Sequence, residues 1–258
     1  MPQFSIVAVI SDPAIFDSCL LSSINDNRLD HDIEIIPIFN DGNRYSASNA
    51  LNIGLDVARS DVVIFAHQDV KLLYKWFDKL SETIQSISSD NWAIIGSAGI
   101  DLRYSRSDIG RWGGALRTDT VAVGSVWDSD ASLGQIPYWD GVKEPTPIHC
   151  ADECVLVLNR NIGLRFDTQF TGFHFYGVDL CLQARAAGYD VYGSHLPIIH
   201  YGKYSASFSG DRKYWAFLRF LYSKWQSRFP TVLGTHFHWS YEESELIPEL
   251  TSYIDVSL

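Results

Sequence analysis

Asp61-Val62-Val63-Ile64-Phe65-Ala66-His67-Gln68-Asp69-Val70 is the stretch whose reading decides the fold. Its apolar run, Val62 to Ala66, has the length and β-branched content of a buried parallel strand and stops abruptly at three polar residues. In open α/β sheets, ligands gather just beyond the carboxyl ends of such strands, which makes His67, Gln68 and Asp69 candidates for ligand contact. Asp69 offers hard oxygen atoms to a divalent cation, and His67 and Gln68 offer hydrogen bonds to hydroxyls or phosphates. The same three residues would equally suit a polar loop that caps the next helix.

Working outward, strand and helix signals alternate through the first hundred residues, the sequence form of βαβ units around a mostly parallel sheet. Phe4–Ile10 reads as a strand, and Asp12-Pro13 opens a helix to about Ile24, with Asp12 as cap and Pro13 in the first turn. A second strand, Ile33–Phe39, ends in Asn40-Asp41-Gly42, and residues 46–58 and 73–87 read as helices on either side of the diagnostic strand. A further strand is expected over residues 92–98. From Gly99 to Cys150 no period is sustained, and this stretch, bearing Arg111-Trp112-Gly113-Gly114, is expected to be a long irregular aromatic segment. Residues 154–158, 189–192 and 198–200 read as strands and residues 178–187 as a helix. An aromatic-rich helix over residues 214–229 and an acidic tail close the chain.

The chain has 258 residues, 46% of them apolar and 20% charged, which suits a globular protein with a substantial core. Its formal charge of −11 argues against general affinity for nucleic acid. A local exception is the basic cluster Lys203, Arg212, Lys213, Arg219, Lys224 and Arg228, opposed only by Asp211. Interleaved with aromatic residues, it would suit peripheral contact with a membrane surface. No apolar run reaches the roughly 18 residues of a membrane span, and the first residues form a strand rather than a signal segment, so a cytoplasmic location is expected. Cys19, Cys150, Cys154 and Cys181 match no zinc spacing and are expected to be free thiols.

Three further segments accompany the His67-Gln68-Asp69-Val70 motif: Ser46-Ala47-Ser48-Asn49-Ala50-Leu51-Asn52-Ile53-Gly54-Leu55 before it, then Phe173-His174-Phe175-Tyr176-Gly177-Val178-Asp179-Leu180, then Ile199-His200-Tyr201-Gly202. Their order and content resemble the GT-A glycosyltransferases of family 2, in the bacterial branch that carries His-Gln-Asp-Val where most members show Asp-x-Asp. The resemblance spans roughly residues 4 to 202. It implies an α/β GT-A catalytic domain over residues 1–202 with a mostly parallel central sheet flanked by helices, and a C-terminal helical extension over residues 203–258.

The activity implied is an inverting transfer of a sugar from a nucleotide-diphosphate donor, UDP-linked, to a hydroxyl of a glycan or lipid-linked acceptor in bacterial surface polysaccharide synthesis. Mn²⁺ or Mg²⁺ would sit on the diphosphate, with Asp69 and His200 as the implied metal ligands. Asp179, in the segment resembling the family's Glu-Asp region, is the implied catalytic base, with His174 as the fallback. Aligned through Leu180 and Gly188, the chain has Tyr176 and Gly177 where Glu-Asp usually stands. The nucleotide should contact Ser11, Asp41, Asn49, Asn52, His67 and Gln68, and the sugar or acceptor Trp112, Asp152 and His174; Glu153, beside Asp152, has the same reach. The rival of a different class is a catalytically silent GT-A-like domain that binds a nucleotide or glycan. A nucleotidyltransferase would need a glycine-rich basic loop after the first strand, and Ser11-Asp12-Pro13-Ala14 is not one.

Overall fold

The computed structural model describes residues 1–28, 30–87, 91–104, 122–130, 134–202, 212–235 and 238–240. In chain order the first half contains β1 (Phe4–Ile10), α1 (Pro13–Phe16), a π-helical turn (Asp17–Leu21), α2 (Ser22–Asn27), β2 (Ile33–Phe39), α3 (Ala47–Val57), β3 (Val62–Ala66), β4 (Val70–Leu72), α4 (Trp76–Ser86), β5 (Trp92–Gly96) and β6 (Ala98–Asp101). The second half contains β7 (Ala122–Asp130), β8 (Gly134–Asp140), β9 (Thr146–Ala151), β10 (Val155–Asn159), α5 (Tyr176–Ala186), β11 (Asp190–Gly193), β12 (Ile198–His200), α6 (Arg212–Trp225), β13 (Thr231–Leu233) and β14 (His238–Ser240).

The main sheet runs β2-β1-β3-β10-β5-β11-β9-β6-β7-β12-β4, with β8 paired to β7. It is mixed: β1 is parallel to β2 and β3, β5 to β11, and β7 to β12. The expected parallel order therefore holds for the β2-β1-β3 edge, and antiparallel β10 then separates β3 from β5. Helices cover both faces, which is why β3 and, but for Ser5, β1 read as apolar runs. Alternate β1 residues go to opposite cores, Val7 with Leu51, Leu55 and Phe65 under α3, and Ile6 with Leu20, Ile24, Trp76 and Phe77 under α2 and α4. Asp12 caps the first helix as expected, its Oδ1 accepting from the N–H groups of Ala14 at 3.0 Å and Ile15 at 3.2 Å.

The stretch expected to be irregular, Gly99 to Cys150, contains part of β6, all of β7 and β8, and most of β9. Gly124 lies inside β7 at φ +94, where a Cβ would meet the Ser97 carbonyl oxygen at 2.1 Å, and the β7–β8 register shifts between Val126 and Trp127. A left-handed glycine and a bulge each break the two-residue alternation that marks a strand. The Arg111-Trp112-Gly113-Gly114 motif lies outside the described residues, as do residues 203–211 and 241–258 of the expected extension. The described part of that extension is helical in α6 and then forms a β13–β14 ribbon. No helix among the described residues is long and apolar enough to cross a membrane.

α6 joins the core through Tyr214, Phe217, Leu218 and Leu221, and Asp179 of α5 holds its far end. The Asp179 carboxylate, wholly buried, accepts from Trp225 Nε1 at 2.7 Å and from Gln183 Nε2 at 2.8 Å, and pairs with Lys224 Nζ at 2.8 Å. Lys224 also reaches Asp167 at 2.6 Å. Asp179, expected as the catalytic base, is thus turned to the α6 side of its helix and tied into an ion-pair network. Its place in the helix was readable, but which face that residue presents depends on where α6 packs.

Two stability predictions follow from these contacts. Gly54 of α3 leaves room for β1, since a Cβ there would meet Val7 Cγ1 at 2.2 Å. Gly54→Ala should lower unfolding free energy by about 1–3 kcal/mol despite alanine's better helix propensity, as measured by urea denaturation. Asp179→Ala should cost about 1–3 kcal/mol, because it leaves the Trp225 indole N–H and the Gln183 amide without their acceptor and the Lys224 ammonium with Asp167 alone, and hydrogen exchange should show α6 losing protection first.

Candidate active site

The site begins where β3 ends. The His67 N–H bonds the Cys154 carbonyl at 3.0 Å, and the Val70 N–H bonds the His67 carbonyl at 3.2 Å, which turns the chain sharply into β4. β12 then lies between β4 and β7, with His200 opposite Val70 on one side and Asp128 on the other. The Tyr201 N–H closes the corner on the Asp69 carbonyl at 2.8 Å. As a result the His200 imidazole stands between two carboxylates, Nε2 being 3.6 Å from Asp69 Oδ1 and Nδ1 3.6 Å from Asp128 Oδ1.

Burial opposes charge on His200, but the Asp128 and Asp69 carboxylates on either side of its ring outweigh it and raise the pKa. Burial likewise works against ionised Asp69, yet His200 and His67 bring its carboxyl below the ordinary value. His67 is shifted the other way, lowered chiefly by burial. Its Nε2 shares a 2.9 Å hydrogen bond with the Tyr176 hydroxyl. The donor atoms of His67, Cys154 and His200 lie within 4.8 Å of one another. Burial pushes the Cys154 thiol up to about 12, so it is a neutral neighbour in the absence of a cation.

A divalent cation fits this corner. Two donors on one ion, each at about 2.1 Å, stand roughly 3–3.5 Å apart, close to the Asp69–His200 separation. Asp128 on the far ring nitrogen has the place of the outer carboxylate that commonly orients a metal-bound histidine. A carboxylate with an imidazole suits Mn²⁺ better than Mg²⁺, which prefers oxygen ligands throughout.

Beside this corner opens a cleft of about 770 Å³, its mouth included, lined by Ser11, Asn40, Asn43, His67, Gln68, Asp69, Glu153, Phe173 and Tyr176 over an apolar floor of Val9, Leu51 and Phe65. Gln68 braces its edge: Oε1 accepts from the N–H groups of Ser11 at 2.9 Å and Asp12 at 3.0 Å, and Nε2 donates to Ser11 Oγ at 2.9 Å. The Asn40 amide bonds the Tyr45 backbone in both directions, at 2.8 and 3.0 Å, and so holds the turn that carries Asn43. Phe173 is 46% exposed at the rim.

Glu153 reaches the cleft from the turn between β9 and β10. Its Oε2 accepts the Phe175 N–H at 3.1 Å and its Oε1 the Gly177 N–H at 2.6 Å, at the start of α5. Burial raises this carboxyl to about 8; the backbone bonds oppose the rise and nearby Asp152 adds to it.

Of the residues expected from sequence, Ser11, His67, Gln68 and Asp69 line the cleft, and His200 stands beside Asp69. Others are placed differently. Asp41 is exposed in the turn Asp41–Asn43, and Asn49 faces solvent on α3. Asn52 is buried and bonds the Phe166 backbone twice, at 2.9 and 3.1 Å, so it ties α3 to the chain before α5. Asp152 accepts from the Cys154 N–H at 3.0 Å and Thr235 Oγ1 at 2.7 Å. His174 packs edge-on against Tyr214 at 5.4 Å. Asn43, Phe173 and Tyr176 were not singled out; the last two lie inside the quoted Phe173-His174-Phe175-Tyr176 segment, where their aromatic character was the available signal.

Comparison with known proteins agrees with this geometry. A glycosyltransferase-like family matches residues 5–214. A protein of Fuscovulum blasticum described as "ATP synthase subunits region ORF 6" is 26% identical over 204 residues, 78% of this chain and 76% of that protein. Among solved structures, the mannosyltransferase PcManGT from Pyrobaculum calidifontis, in complex with GDP-Man and Mn²⁺, superposes with a TM-score of 0.55 at 10% identity, over 86% of this chain and 64% of that one. GalNAc-T7 with UDP, GalNAc and Mn²⁺ gives a TM-score of 0.55 at 10% identity, over 88% of this chain and 49% of its own. The chain thus spans less than two thirds of either solved chain, and the likeness is one of fold, the GT-A fold. With the family match covering most of its length, the chain belongs to the glycosyltransferase-like family.

Proposed function

We propose that the protein is a Mn²⁺-assisted, inverting glycosyltransferase that moves a sugar from a nucleoside-diphosphate donor to a hydroxyl of a glycan or lipid-linked acceptor, in the assembly of a bacterial surface polysaccharide or glycoconjugate. The observation that carries this reading is the Asp69–His200 corner opening onto a cleft at the carboxyl ends of β1 and β3, in a chain of this family. The nucleoside has the Ser11 hydroxyl and Asn43 amide as polar partners over the apolar floor. Gln68, bonded to the Ser11–Asp12 backbone, keeps that edge in position before the donor arrives.

Asp69 and His200 would hold the ion together with diphosphate oxygens, and Asp128 orients the imidazole. When bound, the ion would neutralise negative charge that grows on the departing diphosphate. Phe173, exposed at the rim, presents an aromatic face to the apolar C–H surface of a sugar ring. A single in-line displacement by the acceptor oxygen needs no covalent enzyme intermediate, and it inverts the anomeric centre. Peripheral contact with an anionic membrane is supported by Arg212, Lys213 and Arg228, exposed on and just after α6.

The metal reading is tested by titrating UDP and GDP with and without Mn²⁺. Asp69→Ala should remove the Mn²⁺-dependent part of nucleotide affinity, and Asp128→Asn should weaken Mn²⁺ binding on the order of 10-fold by releasing His200. Nucleotide binding by Asp69→Ala that still responds fully to Mn²⁺ rejects the assignment.

A further inference from the structure

Two carboxyl groups line the cleft among its described residues, Asp69 and Glu153. Asp69 is paired with His200 at the metal corner. Glu153 comes from a different strand turn, and its surroundings are built to receive it. Phe175, just before α5, has a left-handed backbone at φ 64, an unusual conformation for an aromatic residue, sustained by burial and by ring contact with Tyr214 at 4.8 Å. That turn aims the N–H groups of Phe175 and Gly177 at the two Glu153 oxygens.

Gly177 matters because it has no side chain. A Cβ there would lie 2.6 Å from Leu156 Cδ1, 3.0 Å from Glu153 Cγ and 3.3 Å from Glu153 Oε1. Side chains at 153 and 177 therefore compete for one space, and this sequence fills it from position 153. The helix start that the family resemblance would furnish with an acid has Tyr176, turned to His67, and Gly177, which makes way. The acid is delivered from the β9–β10 turn instead.

We propose that Glu153 is the catalytic residue that accepts the proton of the incoming hydroxyl, an inference that rests on the glycosyltransferase reading above. As the acceptor oxygen forms its bond to the anomeric carbon, its proton passes to a Glu153 oxygen. The bond from that carbon to the phosphate oxygen breaks, and its electron pair leaves with the diphosphate. The N–H groups of Phe175, Gly177 and Val178 occupy three of the roughly four acceptor positions of the carboxylate and leave one for this contact. The alternative role for Glu153 is that of a cap for α5 and nothing more.

The full chain with Mn²⁺ and UDP-glucose, UDP-galactose, UDP-N-acetylglucosamine or GDP-mannose separates these roles. Donor binding is read by thermal stabilisation, and turnover by nucleoside-diphosphate release with water as acceptor. Glu153→Gln should bind the donor as wild type does, while turnover read well below the melting temperature falls about 10²-fold or more; the melting temperature should drop modestly, because the amide NH₂ faces one backbone N–H that the carboxylate accepted. Glu153→Ala/Gly177→Asp, which moves the acid to the other side of the shared space, should turn over about 10-fold faster than Glu153→Ala alone. Turnover by Glu153→Gln within about threefold of wild type would overturn the proposal. So would losses that track melting temperature alone and do not recover in the double variant, the outcome of a pure cap. If no donor stabilised even the wild-type chain, the glycosyltransferase reading would fail and this one with it, a result distinct from normal binding with undiminished Glu153→Gln turnover.

Discussion

The pairing of β12 between β4 and β7 is the constraint on which the site depends. Alone, residues 69, 128 and 200 are far apart in the chain. The register that sets His200 opposite both Val70 and Asp128 brings an imidazole between two carboxylates, and the Tyr201 to Asp69 backbone bond fixes the corner. Shifting a strand register by one residue turns its side chains to the opposite face, so this arrangement either forms whole or is lost.

The second wall of the cleft has a different support. Glu153 is held by the first N–H groups of α5, and that helix is in turn anchored from behind by Asp179 through Lys224 and Trp225 of α6. Two acids on neighbouring segments have different surroundings: Asp179 is wholly buried and bonded to Lys224, Trp225 and Gln183, while Glu153 faces the cleft with a carboxyl that burial brings to about 8. A protonation equilibrium near neutral pH is what proton exchange with a substrate hydroxyl requires. The ion-pair network around Asp179 ties the α5 start to α6.

Much of the frame was legible in the sequence because it rests on local signals. β3 is a continuous apolar run and β1 and β2 are apolar but for Ser5 and Glu34, Asp12-Pro13 is a cap followed by a first-turn proline, and the polar triplet after Ala66 marks the end of β3. Those elements occur where expected, as do Ser11, His67, Gln68 and Asp69 around one cleft. What was not legible depends on tertiary placement. Gly124 and the Val126–Trp127 register shift hide a long hairpin behind broken alternation. Asn52 looks the same in sequence whether it meets a ligand or, as here, the Phe166 backbone. The relation of Glu153 to Gly177 joins residues 24 apart, and only the coordinates reveal that they share one space.

The most direct test is a crystal structure of the protein grown with UDP or GDP and Mn²⁺, with anomalous diffraction collected at the manganese edge. The account predicts one anomalous peak bonded to the Asp69 carboxylate and His200 Nε2, with the diphosphate on the same ion and the nucleoside over Val9, Leu51 and Phe65. A nucleotide seated elsewhere, or a peak that touches neither Asp69 nor His200, would contradict it.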